Sequence, residues 1–213
     1  MSVRIFVPRW MDQRNTNAQN SNARSLLSRF SDARARWTAV CSDKSAAAPL
    51  PSSVKLIATS SSRFWSYRLA LAYQRECDAI FYPGPHWADE FGMKTRRLFR
   101  KRTPVITTIE GIIAAPEALD QLTSMAGHPV FAQPGTDRAI PRIRWMYESC
   151  DHIIAISPFL GRVGQKLYGE RVSCLPLGLE TSIFHDRNRR EPARPRVLGC
   201  GTVKSSKRPE IFL

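Results

Sequence analysis

Short apolar runs alternate with longer stretches of helical spacing along this chain, the sequence form of a parallel sheet covered by helices. The first run is Val3 to Val7. A polar, Asn-rich loop from Gln13 to Asn22 follows, leading to a helix around Ala23 to Ala35. Trp37 to Cys41 and Val54 to Thr59 read as the next two strands, separated by an aperiodic Ser/Ala/Pro loop, Ser42 to Ser53. Phe64 to Arg75 carries apolar residues at helical spacing. Asp78 to Tyr82 is a strand ending at Pro83-Gly84-Pro85, and a helix from about Trp87 to Lys101 precedes a strand over Pro104 to Ile109. Between Ala114 and Arg138 the pattern fades: Pro116 can open a helix, and Gly127 to Gly135 reads as loop. A helix over Ile140 to Cys150 feeds the apolar run Asp151 to Ser157, then a further helical stretch and the run Arg171 to Gly178.

The pattern therefore predicts about seven strands in an α/β, Rossmann-like parallel sheet with helices on both faces. It assigns residues 1–184 to this domain, 185–195 to a basic Pro-containing linker, and 196–213 to the start of a second, truncated Rossmann-like domain. The last segment carries the run Arg196 to Gly201 and then Lys207-Arg208, and stops one turn into an expected helix. A strand, a glycine loop and part of a helix cannot bury their own apolar faces, so more chain is expected. In open parallel sheets, ligands bind at the carboxyl ends of the strands. Here those ends are Pro8-Arg9, Pro83-Gly84, Glu110-Gly111, Ser157 and Gly178.

Composition narrows the classes. A hydrophobic fraction of 43% over 213 residues suits a globular α/β domain and argues against disorder. No stretch reaches the ~18 apolar residues of a membrane-spanning helix. The start, Met1-Ser-Val-Arg-Ile-Phe-Val-Pro8, has too short an apolar core for a secretory signal. The expected address is cytoplasmic, with a peripheral place at the membrane left open. The five cysteines form no Cys-x-x-Cys pair, and the four histidines (His86, His128, His152, His185) lack metal-like spacing, so no metal is expected. No glycine-rich phosphate cradle follows the first strand, so neither NAD nor FAD is expected as a cofactor.

The net charge of +14 attracts anions: nucleic acid, anionic lipid or phosphorylated small molecules. One dense cluster stands out, Arg96-Arg97-Leu-Phe-Arg100-Lys101-Arg102, at the end of an expected helix. A solvated helix face and a membrane-surface patch both fit it. Basic repeats interleaved with aromatics, which stack single-stranded bases, are not evident, so nucleic acid is not the expected partner.

Three segments in order resemble the GT-B glycosyltransferases, in particular the large retaining family that includes sucrose synthases and bacterial mannosyltransferases. Asp151-His-Ile-Ile-Ala-Ile-Ser157 is similar to that family's a-D-x-I-I-A-x-S strand. Leu175-Pro-Leu-Gly-Leu-Glu-Thr-x-x-Phe184 is similar to its I-P-N-G-V-D-x-x-x-F segment, with Leu177 in place of Asn and Glu180 in place of Asp. Leu198-Gly-Cys-Gly201 through Lys207 resembles the V-G-R-x-x-x-x-K start of the family's second domain, although Thr202 stands where an arginine is usual.

The resemblance implies a two-domain enzyme that moves a sugar from a nucleotide-diphosphate donor to an acceptor hydroxyl. It implies that Gly201 and Lys207 contact the donor phosphates, with Lys204 a stand-in for the missing arginine. Glu110 lies roughly where members carry a histidine, and with Gly111 it becomes a candidate for holding the acceptor. Asn17, in the loop where the family's acceptor lies, and His86, after a strand end, join the acceptor-side set. The family's paired glutamates belong beyond Leu213, so this polypeptide alone is expected to transfer no sugar; no catalytic residue is assigned. The partners implied are a nucleotide-sugar donor and an acceptor that is anionic or lipid-linked. Two rivals remain: a sugar-nucleotide epimerase of the same fold, and a non-catalytic basic domain that binds anionic lipid or nucleic acid.

Overall fold

A computed structural model describes residues 2–12, 18–29, 34–43, 47, 49–59, 76–84, 90–98, 103–110, 124 and 140–176. The chain divides into two compact units, Met1–Pro176 and Leu177–Leu213. The second lies wholly outside the described residues, and the first is built as follows.

The strands are β1 (Val3–Trp10), β2 (Ala35–Cys41), β3 (Lys55–Ala58), β4 (Ala79–Tyr82), β5 (Val105–Ile109), β6 (His152–Ala155) and β7 (Val172–Cys174). Among the described residues the helices are α1 (Ala18–Arg29), α2 (Glu90–Leu98), α3 (Ile140–Glu148) and α4 (Pro158–Tyr168). All seven strands form one sheet in the order β3-β2-β1-β4-β5-β6-β7, and every pairing is parallel. Successive residues of a strand point to opposite faces, and here both faces are apolar. Phe6, Val40, Ile80 and Val105 enter one core with Met93 of α2, Met146 and Tyr147 of α3, and Leu160 of α4. Their strand neighbours Val7, Ala39 and Phe81 enter a second core with Ala23 and Leu27 of α1. Helices thus cover both faces, and the fold is α/β and Rossmann-like.

Local chemistry fixes the element ends. Ser157 caps α4: its hydroxyl accepts from the Leu160 amide at 3.2 Å, and Pro158 occupies the first turn, where a missing N–H costs nothing. Gly169, at φ 72°, ends the same helix in a conformation that other residues resist. The helix lies close on the sheet because Gly164 faces Val172; a Cβ there would sit 2.9 Å from Val172 Cγ1.

The element order matches the sequence pattern, with two differences. The helix after β1 occupies Ala18–Arg29 instead of starting near Ala23 and running to Ala35, so the second half of the Asn-rich segment is helical. Asn20 is buried there, and Ala35 belongs to β2, just after Arg34, whose carbonyl accepts from the Val3 amide at 2.8 Å. The first strand also runs past Val7 to Trp10, with a register break between those residues. Phe64 to Arg75, the stretch around Pro116, the linker and the run Arg196 to Gly201 lie outside the described residues.

Candidate functional site

Strand order reverses between β1 and β4, because the chain builds β1, β2 and β3 outward in one direction and β4 onward in the other. The crevice outside the carboxyl ends at such a reversal is the usual ligand position in open α/β sheets. Tyr82, Pro83 and Gly84 close β4 there, all buried, and Gly84 takes a positive φ of 75°. On the β1 side the chain is pinned. Asp12 Oδ1 accepts from the Ser42 amide at 2.9 Å, its carbonyl accepts from Arg24 Nη1 at 2.9 Å, and Met11 N–H donates to the Val40 carbonyl at 2.7 Å. Asp12 is a buried carboxylate that ties the segment after β1 to the segment after β2.

Beside this point, at the end of β5, sits Glu110, half-buried. Its Oε1 accepts from Asn22 Nδ2 of α1 at 3.3 Å and from Thr108 Oγ1 at 3.3 Å. Thr108 is held in turn: its carbonyl accepts from the Tyr147 hydroxyl of α3 at 3.3 Å. Burial, with the neighbouring Tyr168, Cys150 and Glu110 adding to it, holds the Tyr147 phenol well above its ordinary range. Tyr147 therefore remains a neutral donor, able to fix Thr108 and unsuited to proton transfer. One residue earlier on β5, Thr107 Oγ1 donates to the Tyr82 carbonyl at 2.9 Å and ties β5 to β4.

The result is a carboxylate with one oxygen anchored from both sides. Glu110 Oε2 has no partner among the described residues. An ionised carboxylate is an acceptor, so the free oxygen suits a ligand hydroxyl or ammonium and repels a phosphate. No group of three or more His, Cys, Asp or Glu able to hold a metal occurs among the described residues.

Of the residues singled out from sequence, the structure places Glu110 at this edge. Asn17, His86, Gly111, Gly201 and Lys207 lie outside the described residues. Asn22, Thr108 and Tyr147 were not foreseen. A signal for Asn22 existed, because asparagine disfavours helix interiors and two of them, Asn20 and Asn22, inside one helix imply side-chain partners.

Several other polar and sulfur groups among the described residues are taken up by the fold. Arg96, first of the dense basic cluster, turns inward: its side chain is 13% exposed and Nη2 pairs with Asp151 Oδ2 at 2.6 Å. Cys41 and Cys150 are buried, and burial pushes the Cys77 thiol up to about 11, so it is no nucleophile at neutral pH. His152 Nε2 meets Ser173 Oγ at 2.8 Å between β6 and β7. No family model matches this chain, and no curated protein matches it.

Proposed function

We propose that this chain is the acceptor-side part of a GT-B glycosyltransferase that moves a sugar from a nucleotide diphosphate to an acceptor hydroxyl. The observation that carries the reading is Glu110: a carboxylate at the carboxyl edge, beside the strand-order reversal, with Oε1 anchored by Asn22 and Thr108. Its free oxygen is suited to hold the acceptor hydroxyl, and the anchor fixes where that hydroxyl sits. Transfer in such enzymes depends on positioning and on stabilising the departing diphosphate, rather than on many reactive side chains. Gly201 and Lys207 are the residues proposed for the diphosphate. Support for the GT-B assignment comes from the three motif-like segments in order; the fold itself supports only the Rossmann-like class.

The test is saccharide binding by the 213-residue chain, screened by ligand-observed NMR with neutral, amino and acidic sugars. A neutral or amino sugar is expected to bind, and Glu110→Gln to weaken it about tenfold or more, since a hydrogen bond to a charged group contributes about 1.5–3 kcal/mol. Asn22→Ala is expected to weaken it less, because Thr108 still holds Oε1. Binding unchanged in Glu110→Gln, or no sugar bound at all, sinks the proposed site. Conversion of a nucleotide sugar to its epimer without transfer replaces the reading with the isomerase.

A further inference from the structure

The two faces of the sheet are closed to different extents. On the face that carries α2, α3 and α4, the side chains of Val105, Thr107, Ile109, Ile153, Ala155 and Val172 are at most 4% exposed. On the other face α1 closes the nearer strands, where Val7, Ala39 and Phe81 are at most 7% exposed. Ile106 sits beside Phe81 in the register, and there the closure ends. Ile106 and Thr108 on β5, His152 and Ile154 on β6, and Ser173 on β7 are all half-buried. Topology explains the difference. The chain leaves β1 in one direction and runs from β4 to β7 in the other, so right-handed crossovers put α1 on one face and α2, α3 and α4 on the opposite one. Among the described residues, α1 is the helix on this half-open face.

The polar groups of this floor are engaged with one another. Thr108 Oγ1 donates to Glu110, and His152 Nε2 meets Ser173 Oγ at 2.8 Å. What the floor offers a visitor is apolar: Ile106 and Ile154, with Leu26 beside them. Leu26 lies one turn along α1 from Asn22 and is half-buried against the same core as Ile106. Glu110 stands at the carboxyl end of this strip, two residues past Thr108, with Oε1 anchored and Oε2 free. Three strands about 4.8 Å apart, and the rise of about 13 Å from Ile106 to Glu110, outline roughly 200 Å². A stable protein interface takes about 800 Å² from each partner, so a second copy or another protein is a poor match. A small molecule fits, with a polar head at Glu110 and an apolar body along the strip.

We propose that the strip over Ile106, Ile154 and Leu26 holds the apolar body of a ligand whose hydroxyl is bound by Glu110, so that the acceptor is an uncharged amphiphile. The proposal rests on the reading of Glu110 as the acceptor's anchor and names the substrate class of that site. The carboxylate selects against an acidic head, because an ionised carboxylate accepts hydrogen bonds and repels anions. The isoleucines select for an apolar tail, because that surface leaves water only when a ligand covers it. Head and tail together also fix direction: the tail runs from the carboxyl edge toward the amino edge, and the reactive hydroxyl stays at the carboxyl edge.

Titration of the full chain with methyl, butyl and hexyl glucoside, followed by ligand-observed NMR, tests the proposal. A fully buried methylene tightens binding about fourfold and one on a half-open floor about twofold, so hexyl glucoside should bind about thirtyfold more tightly than methyl glucoside. Ile154→Thr should remove most of that gain, and Glu110→Gln should weaken hexyl glucoside about tenfold. Val3→Ser, at an exposed apolar residue on β1, should leave the gain in place and so controls for adventitious sticking. Circular dichroism checks folding; if Ile154→Thr is unfolded, Leu26→Ala takes its place, with the same loss expected. Equal affinity for the three glucosides overturns the apolar strip, while a loss on Glu110→Gln in that case still supports the anchor. A gain that survives Ile154→Thr, or that vanishes with Val3→Ser, also overturns it. Hexyl glucoside bound equally well by Glu110→Gln overturns the pairing of head and tail. If no glucoside binds, the amphiphile falls, and the screen of unsubstituted sugars decides the Glu110 reading separately.

Discussion

Asp78 and Asp151 solve the same problem at two places. Each precedes a strand and accepts a backbone N–H from the neighbouring strand: Asp78 from Arg4 at 2.8 Å, Asp151 from Val105 at 2.6 Å. Each also takes an arginine, Arg4 at 3.0 Å and Arg96 at 2.6 Å. The two aspartates thus satisfy strand-end amides that a parallel sheet otherwise leaves to water. The Arg4 side chain, and after it the Arg4 amide, hold the Asp78 carboxyl below its usual value. A carboxylate depressed in the folded state stabilises above its unfolded pKa, about 3.9, and that contribution fades as pH falls through the folded value. Asp78→Asn should therefore flatten the stability loss between roughly pH 5 and pH 2, measured by denaturant midpoints at a series of pH values. An acid limb identical to that of the parent chain would show the pair to be too well solvated to matter, as exposed pairs often are.

Elements were legible in proportion to how locally they are specified. Ala-Ile-Phe-Tyr and Val-Ile-Thr-Thr-Ile are apolar runs bounded by Pro and Gly, and β4 and β5 fall within a residue of the pattern. Helix α1 was less visible, because Asn20 and Asn22 are weak helix formers and read as loop. What holds them is tertiary: Asn22 bonds a residue 88 positions away. The candidate site divides the same way, since a strand end marked Glu110 while nothing local marked its partner. Close packing was equally hidden. Gly164 looks like a helix flaw in sequence, yet it admits Val172. Gly164→Ala removes a poor helix former but drives a methyl into a β7 side chain in contact with the core, so a net loss of about 1–3 kcal/mol is expected from urea denaturation. A gain in stability would mean that β7 gives way at little cost.

Over the whole molecule, the parallel order places β1 and β4 at the centre and β3 and β7 at the rims. Central strands are paired on both sides and covered on both faces, so their amides should open only with global unfolding. Hydrogen exchange is expected to be slowest in β1 and β4 and fastest in β7, which has three residues and one neighbour. Slowest exchange at a rim would contradict the strand order. That order also shapes how the protein comes into being. β1 is made before the other six strands and ends up inside the finished sheet, between β2 and β4. One edge finds β2 once Ala35 has emerged from the ribosome; the other waits for Ala79. In the interval the nascent chain presents an open apolar edge at Ile5, Phe6 and Val7, ready to pair with a stranger. The growing chain, more than the finished one, is the form a chaperone has most to protect.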